Sequence, residues 1–206
     1  MTSVTIGSPD LHIEDPNLIG RRWRTGVLLL ILADMSFVAA LVFSYFYLRG
    51  LNTEKAWLAH GQSTAAIWVS WAIAAGAVLS AVVYRLGLIG IRAGSERRFV
   101  SAALLALLLV AADAVAQMLQ LGTFSFGVGT SAYSSVVYTL AGANLFHLLL
   151  TVFIGIAMWN RGRLHIYSQE SNWQPQLVSM WWTWIAIASV LGAFATSFIS
   201  SPNTGH

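Results

Sequence analysis

Five stretches of this sequence are long and apolar enough to cross a lipid bilayer, and no other feature limits its folding as much. They cover residues 25–48, 65–91, 100–121, 134–159 and 178–200. At 1.5 Å per helical residue each reaches across a hydrocarbon core of roughly 30 Å. Backbone amides have no water to bond inside lipid, so runs of this length and composition resolve as helices. The sequence therefore predicts an all-α integral membrane bundle of five transmembrane helices spanning residues 21–206, preceded by a polar tail over residues 1–20. Composition points the same way: 57% of residues are hydrophobic and 9% charged, against about a quarter charged in soluble domains. The chain has no cysteine, which excludes iron–sulfur clusters, disulfides and thiolate copper sites. Its net charge of +3 matters less than where the basic residues lie, and no nucleic-acid partner is expected. The tail lacks the basic start and apolar centre of a secretory signal. The first span is expected to direct insertion.

Nine of the eleven basic residues fall on one side of this five-span layout. Arg21, Arg22 and Arg24 precede the first span. Arg85, Arg92, Arg97 and Arg98 surround the second connection, and Arg161 and Arg163 the fourth. Only Arg49 and Lys55 fall on the other side, and the loop "GTFSFGVGTSAYSS" carries no charge. Positive residues stay in the cytoplasm, so the amino terminus is expected inside and the carboxyl terminus outside. Tryptophans favour membrane interfaces. Trp57, Trp68 and Trp71 are expected at the outer one, and Trp173, Trp181, Trp182 and Trp184 at the inner one. Ala72, Gly76 and Ser80 put small residues four apart on the second span, a spacing that lets helices approach closely.

Polar side chains inside the spans carry the remaining information. Asp34 sits in an otherwise uncharged run, at a cost of roughly 2.5–3.5 kcal/mol on insertion scales. Asp113, Gln117 and Gln120 form a stripe on the third span, and Asn144 and His147 share a face of the fourth. These groups are expected to turn inward, the third-span stripe facing Asn144 and His147 or the first span. They read either as hydrogen-bonded packing or as a proton relay. Asp34 lies about two turns from the inner end of its span, near Arg21, Arg22 and Arg24. His147 is the only histidine deep in a span. His60 and His165 lie near opposite ends, and His12 and His206 in the tails. A bis-histidine haem or a copper site needs converging imidazoles, so none is expected in this chain. Transporters tend to have broken helices at the membrane midplane, and these spans read as continuous.

The order and spacing of these residues resemble subunit III of the haem–copper oxidases, in its short five-helix form. The likeness covers nearly all the chain after residue 20. In "LADMSFVAALVFSYFYL", Asp34 stands at the family's acidic position ahead of a Phe-rich half. Gln117 and Gln120 occupy positions where the family has Gln or Glu and then Glu. "AGANLFHLLL" keeps Gly142 and the second of two family histidines as His147, with Asn144 at the first. "SMWWTWIAIAS" keeps Trp182 but has Thr183 and Ala186 where the family has His and Asp.

The resemblance implies an accessory subunit without a redox centre, packed on a subunit I that holds haem and copper and belonging to a complex that includes subunit II. It also implies phospholipid bound in a cleft between helices, and support for proton uptake and for stability during aerobic electron transport. The longer family form builds one wall of that cleft from two extra helices, which a neighbouring subunit would have to replace here. Arg21, Arg22 and Trp182 are candidates for contact with a subunit or lipid. A bacterial-type plasma membrane is the expected location. The replaced residues also fit the related accessory protein of nitric oxide reductases. A scaffold in another respiratory or membrane complex and a small stand-alone transporter are the remaining alternatives.

Overall fold

The computed structural model describes residues 16–52 and 57–202. They form α1 (Pro16–Leu51), α2 (Ile67–Arg92), α3 (Glu96–Gly122), α4 (Ala132–Arg163) and α5 (Trp173–Thr196). All five are long and apolar enough to span a membrane, and the chain is a multi-pass membrane protein. Most helix ends run past the predicted spans, because hydropathy marks the hydrocarbon whereas helical hydrogen bonding continues into polar flanks; α2 instead begins at Ile67 and α5 stops at Thr196, short of the predicted 65 and 200. The largest overrun is at α1, which starts inside the expected tail with Pro16 as its first residue. Proline suits that position, where its missing N–H would be unpaired anyway.

Local sequence sets the turns. α2 ends where Gly94 takes a left-handed φ of +82°. The Gly94 amide donates to the Ile91 carbonyl and the Ser95 amide to the Gly90 carbonyl, each at 2.9 Å. This doubly bonded glycine ending closes the helix and returns the chain into α3 within three residues. α4 begins with a capping box: the Ser134 amide donates to Ser131 Oγ at 3.1 Å, and the Ser131 amide to Ser134 Oγ at 2.9 Å.

Helices α2, α3, α4 and α5 form a ring in which each touches the next and α5 closes back onto α2. α1 lies outside, on the seam between α4 and α5, and touches neither α2 nor α3. Among the most apolar residues of each helix, 6% are buried in α1 and 56% in α5. α1 therefore presents most of its circumference to whatever surrounds the bundle. α5 is enclosed on three sides.

That enclosure corrects the tryptophan assignment. Trp173 lies near the bundle's end and stacks on Trp23, but Trp181, Trp182 and Trp184 are buried within the bundle. Trp182, expected to touch a subunit or lipid, is 2% exposed. It stacks on Tyr84 with ring centroids 4.5 Å apart and donates its indole N–H to Ser80 Oγ at 2.7 Å. Trp57 is buried too, its indole donating to the Ile199 carbonyl at 2.6 Å. Trp68 and Trp71 remain exposed.

The α2–α3 contact is close because small residues meet there. Ser80 donates to the Ala106 carbonyl at 2.8 Å. A methyl group on Gly87 would fall 2.7 Å from the Ala102 Cβ. Ala72, the first member of the expected small-residue stripe, is exposed and takes no part. Gly87→Ala is predicted to push the two helices apart and cost about 1–3 kcal/mol, the usual range for overpacking. Denaturation of the detergent-solubilised protein checks this, with Gly122→Ala, which meets nothing within 4 Å, as the neutral control.

Candidate functional site

The midplane polar groups form two clusters. The first is built on Asp34, eighteen residues into α1 and so near the middle of the helix. α4 brings His147 to it: His147 Nε2 lies 2.9 Å from Asp34 Oδ1. α5 brings Trp184, whose indole donates to Asp34 Oδ2 at 2.6 Å. An indole nitrogen can only donate. Oδ2 is therefore an acceptor, and the proton in the other bond sits between Oδ1 and the imidazole. One carboxyl group thus joins three helices. The His147 ring is boxed edge-on by Phe37 of α1 and Trp181 of α5, at 6.4 and 6.3 Å between centroids. Its backbone carbonyl accepts from Thr151 Oγ1 at 2.7 Å, and that hydroxyl accepts from the Trp181 indole at 3.1 Å. The His147 side chain is 4% exposed and that of Asp34 16%. Among the described residues neither Arg21 nor Arg24 pairs with Asp34.

The second cluster is a chain of neutral donors and acceptors. Ser189 donates to Asn144 Oδ1, the Asn144 amide to Gln117 Oε1, and the Gln117 amide to Gln120 Oε1, each at 2.8 Å. The Gln120 amide ends the chain on Ser70 Oγ at 3.1 Å. The links run from α5 through α4 and α3 to α2, all around the ring. They line one side of a cavity of about 30 Å³, room for a water molecule, whose other walls include Phe124, Val137, Leu140 and Ala193.

Asp113 belongs to neither cluster. It was expected to face α4 or α1, but it points at α2, where Gly76 leaves room. A methyl group on Gly76 would fall 2.1 Å from Asp113 Oδ1. Asp113 is buried, and its Oδ2 has no hydrogen-bond partner among the described residues. Gln120 likewise turns to α2 through Ser70, and His147 turns to α1 rather than to the α3 stripe. Only Gln117 and Asn144 meet as expected. Arg21 and Arg22 are exposed at the arginine-rich end.

Four partners escaped the sequence reading. Trp184 was assigned to the interface, although a buried indole requires an acceptor. Ser70, Ser189 and Thr151 were passed over as small hydroxyls. Among the described residues no three His, Asp or Glu side chains converge as metal ligands. No family model matches the chain, and no curated protein is significantly similar to it.

Chemically, the first cluster can hold or hand on one proton between Asp34 and His147, while the second can only donate and accept hydrogen bonds. Gln117 is bonded on both sides, so Gln117→Leu breaks two links and strands Asn144 and Gln120. At about 0.6 kcal/mol per interhelical bond in membrane proteins, the predicted loss is about 1 kcal/mol. Unfolding in mixed detergent micelles measures it, and Met118→Leu on the exposed face of α3 should be silent.

Proposed function

We propose that this chain is a non-redox accessory subunit of a haem–copper respiratory oxidase. It packs on the subunit that carries haem and copper, in a complex that includes subunit II and phospholipid. Its arginine-rich end faces the cytoplasm of a bacterial-type cell, with the amino terminus inside and the carboxyl terminus outside.

One observation carries this reading. Asp34 and His147 are two positions at which the chain keeps the residue type of subunit III, and they lie 2.9 Å apart across 113 residues of sequence. Their environment fits a subunit interface. Asp34 keeps 16% of its side chain open near mid-helix, and the Phe37 and Phe146 rings that pack against its partner His147 are themselves exposed. A polar group open to hydrocarbon at that depth is costly. A protein surface laid over the outer face of α1 and α4 would cover it. The titratable pair then lies against the large subunit, where it supports proton uptake.

Asp34→Asn keeps the shape and the hydrogen-bonding capacity but removes the ionisable group. The predicted outcome is a complex of normal subunit content whose turnover falls, most steeply at alkaline pH where protons are scarce. Oxidase turnover against pH, with subunit content and haem absorbance checked on the same preparation, measures it. Unchanged turnover at every pH would end the proton-uptake role. A colourless chain that purifies from its native membrane without any haem protein would end the oxidase reading.

A further inference from the structure

Polar donors recur along the contact between α2 and α3. The Gln120 amide donates to Ser70 Oγ at 3.1 Å, and Ser80 Oγ donates to the Ala106 carbonyl at 2.8 Å. Asp113 lies between these two bonds on α3, as Gly76 does on α2. Asp113 is buried, and neither of its carboxyl oxygens has a hydrogen-bond or ion-pair partner among the described residues. Both oxygens lie against the backbone of α2, in space that a Cβ on Gly76 would occupy.

A buried carboxylate needs hydrogen-bond donors or a cation, and its surroundings offer neither. α2 and α4 are the helices packed on α3. The titratable groups of α2 are Tyr84, Arg85 and Arg92. The nearest of them is eight residues from Gly76, about 12 Å along the helix. On α4, Tyr133, Tyr138, Arg161 and Arg163 lie toward the ends, and His147 is turned to Asp34. On α3 itself Glu96, Arg97 and Arg98 occupy the first turn. The Ser80 hydroxyl and the Trp182 indole are already committed, to the Ala106 carbonyl and to Ser80 Oγ.

We propose that Asp113 is a second proton-binding site, a neutral carboxylic acid that fastens α3 to α2. Its O–H donates to a main-chain carbonyl of α2 that the missing side chain of Gly76 leaves uncovered. A carbonyl has two lone pairs and accepts this bond beside its own helical one. The proton removes the buried charge and supplies the donor that this level of the contact otherwise lacks. It also makes the joint sensitive to pH. Alkaline conditions draw the proton off and leave an unpaired carboxylate against α2. The folded chain then binds one proton more than the unfolded chain, and the bundle loses stability as pH rises. Asp34 shares a proton with His147 between α1 and α4, whereas Asp113 keeps its own inside the ring. All the groups involved belong to this chain, so the site does not depend on the oxidase reading.

The test is infrared spectroscopy of the full chain in neutral detergent, isotope-labelled at the aspartate side-chain carboxyl carbons. The chain has four aspartates, Asp10, Asp15, Asp34 and Asp113. Asp34→Asn therefore leaves Asp113 as the only one inside a span. At neutral pH this variant is expected to show the C=O stretch of a neutral, hydrogen-bonded carboxyl group, and adding Asp113→Asn should remove it. In the native chain Asp113→Asn should likewise remove one neutral stretch. Gly76→Ala should displace the acid, shifting or abolishing that stretch and lowering the melting temperature. From neutral to alkaline pH the melting temperature of Asp34→Asn should fall more steeply than that of Asp34→Asn with Asp113→Asn. A spectrum holding only ionised aspartate, a neutral stretch that survives Asp113→Asn, a Gly76→Ala variant with stretch and melting temperature unchanged, or equal pH slopes would overturn the proposal.

Discussion

A carboxyl group in hydrocarbon must find its hydrogen bonds within the protein, and Asp34 finds both on other helices. Its two oxygens meet His147 of α4 and the indole of Trp184 of α5. From residue 20 to residue 44, Arg22 aside, these are the only side-chain hydrogen bonds from α1 to another helix among the described residues. Elsewhere α1 is held near its ends. Trp23 stacks on Trp173, and Tyr45 and Arg49 bond the carbonyls of Phe198 and Ser200. The apolar face of α1 does not select a partner by itself, because leucine is as content in lipid as against another helix. The carboxyl group therefore fixes where along the α4–α5 seam the helix settles and which face it turns inward.

The ring of four helices is organised differently. There the close approach of small residues, as at Gly87 and Ala102, brings α2 and α3 together. The neutral chain from Ser189 to Ser70 then sets the register of all four members. Hydrogen bonds of amides and hydroxyls do not change with pH over the range in which membranes work. The titratable pair of Asp34 and His147 lies at the seam where α1 attaches, partly open on the outward side, and is separate from the Asp113 carboxyl group buried against α2 within the ring. A partner laid over α1 and α4 would touch the cluster of Asp34 and His147, which can take up or release a proton, while the neutral chain behind it stays fixed.

The five helices were legible in the sequence because apolar runs of bilayer length admit few alternatives, and the stripe of Gln117 and Gln120 was legible because period alone places them on one face. What lay beyond reach was which neighbour each face meets. The period of α3 puts Asp113 near Gln117, but only the gap left by Gly76 on α2 turns it away from α4. Trp181, Trp182 and Trp184 looked interfacial because tryptophan usually is. Their burial follows from α5 being enclosed by three helices, a property of the assembled bundle rather than of the segment. Trp184 as a partner of Asp34 depends on a pairing across 150 residues, for which spacing gives no sign.

Asp34 holds α1 to the bundle through His147, and a double-mutant cycle of Asp34→Leu and His147→Leu tests this most directly. Unfolding free energies of the four proteins would be measured in mixed micelles of fixed composition. Each single change strands the other partner, whereas the double change removes both. The double variant should therefore lose less than the two singles together, with a coupling of about 1–3 kcal/mol. Losses that add to within about 0.5 kcal/mol would show that the two side chains do not act as a pair, and that α1 is held by its apolar surface and its ends alone.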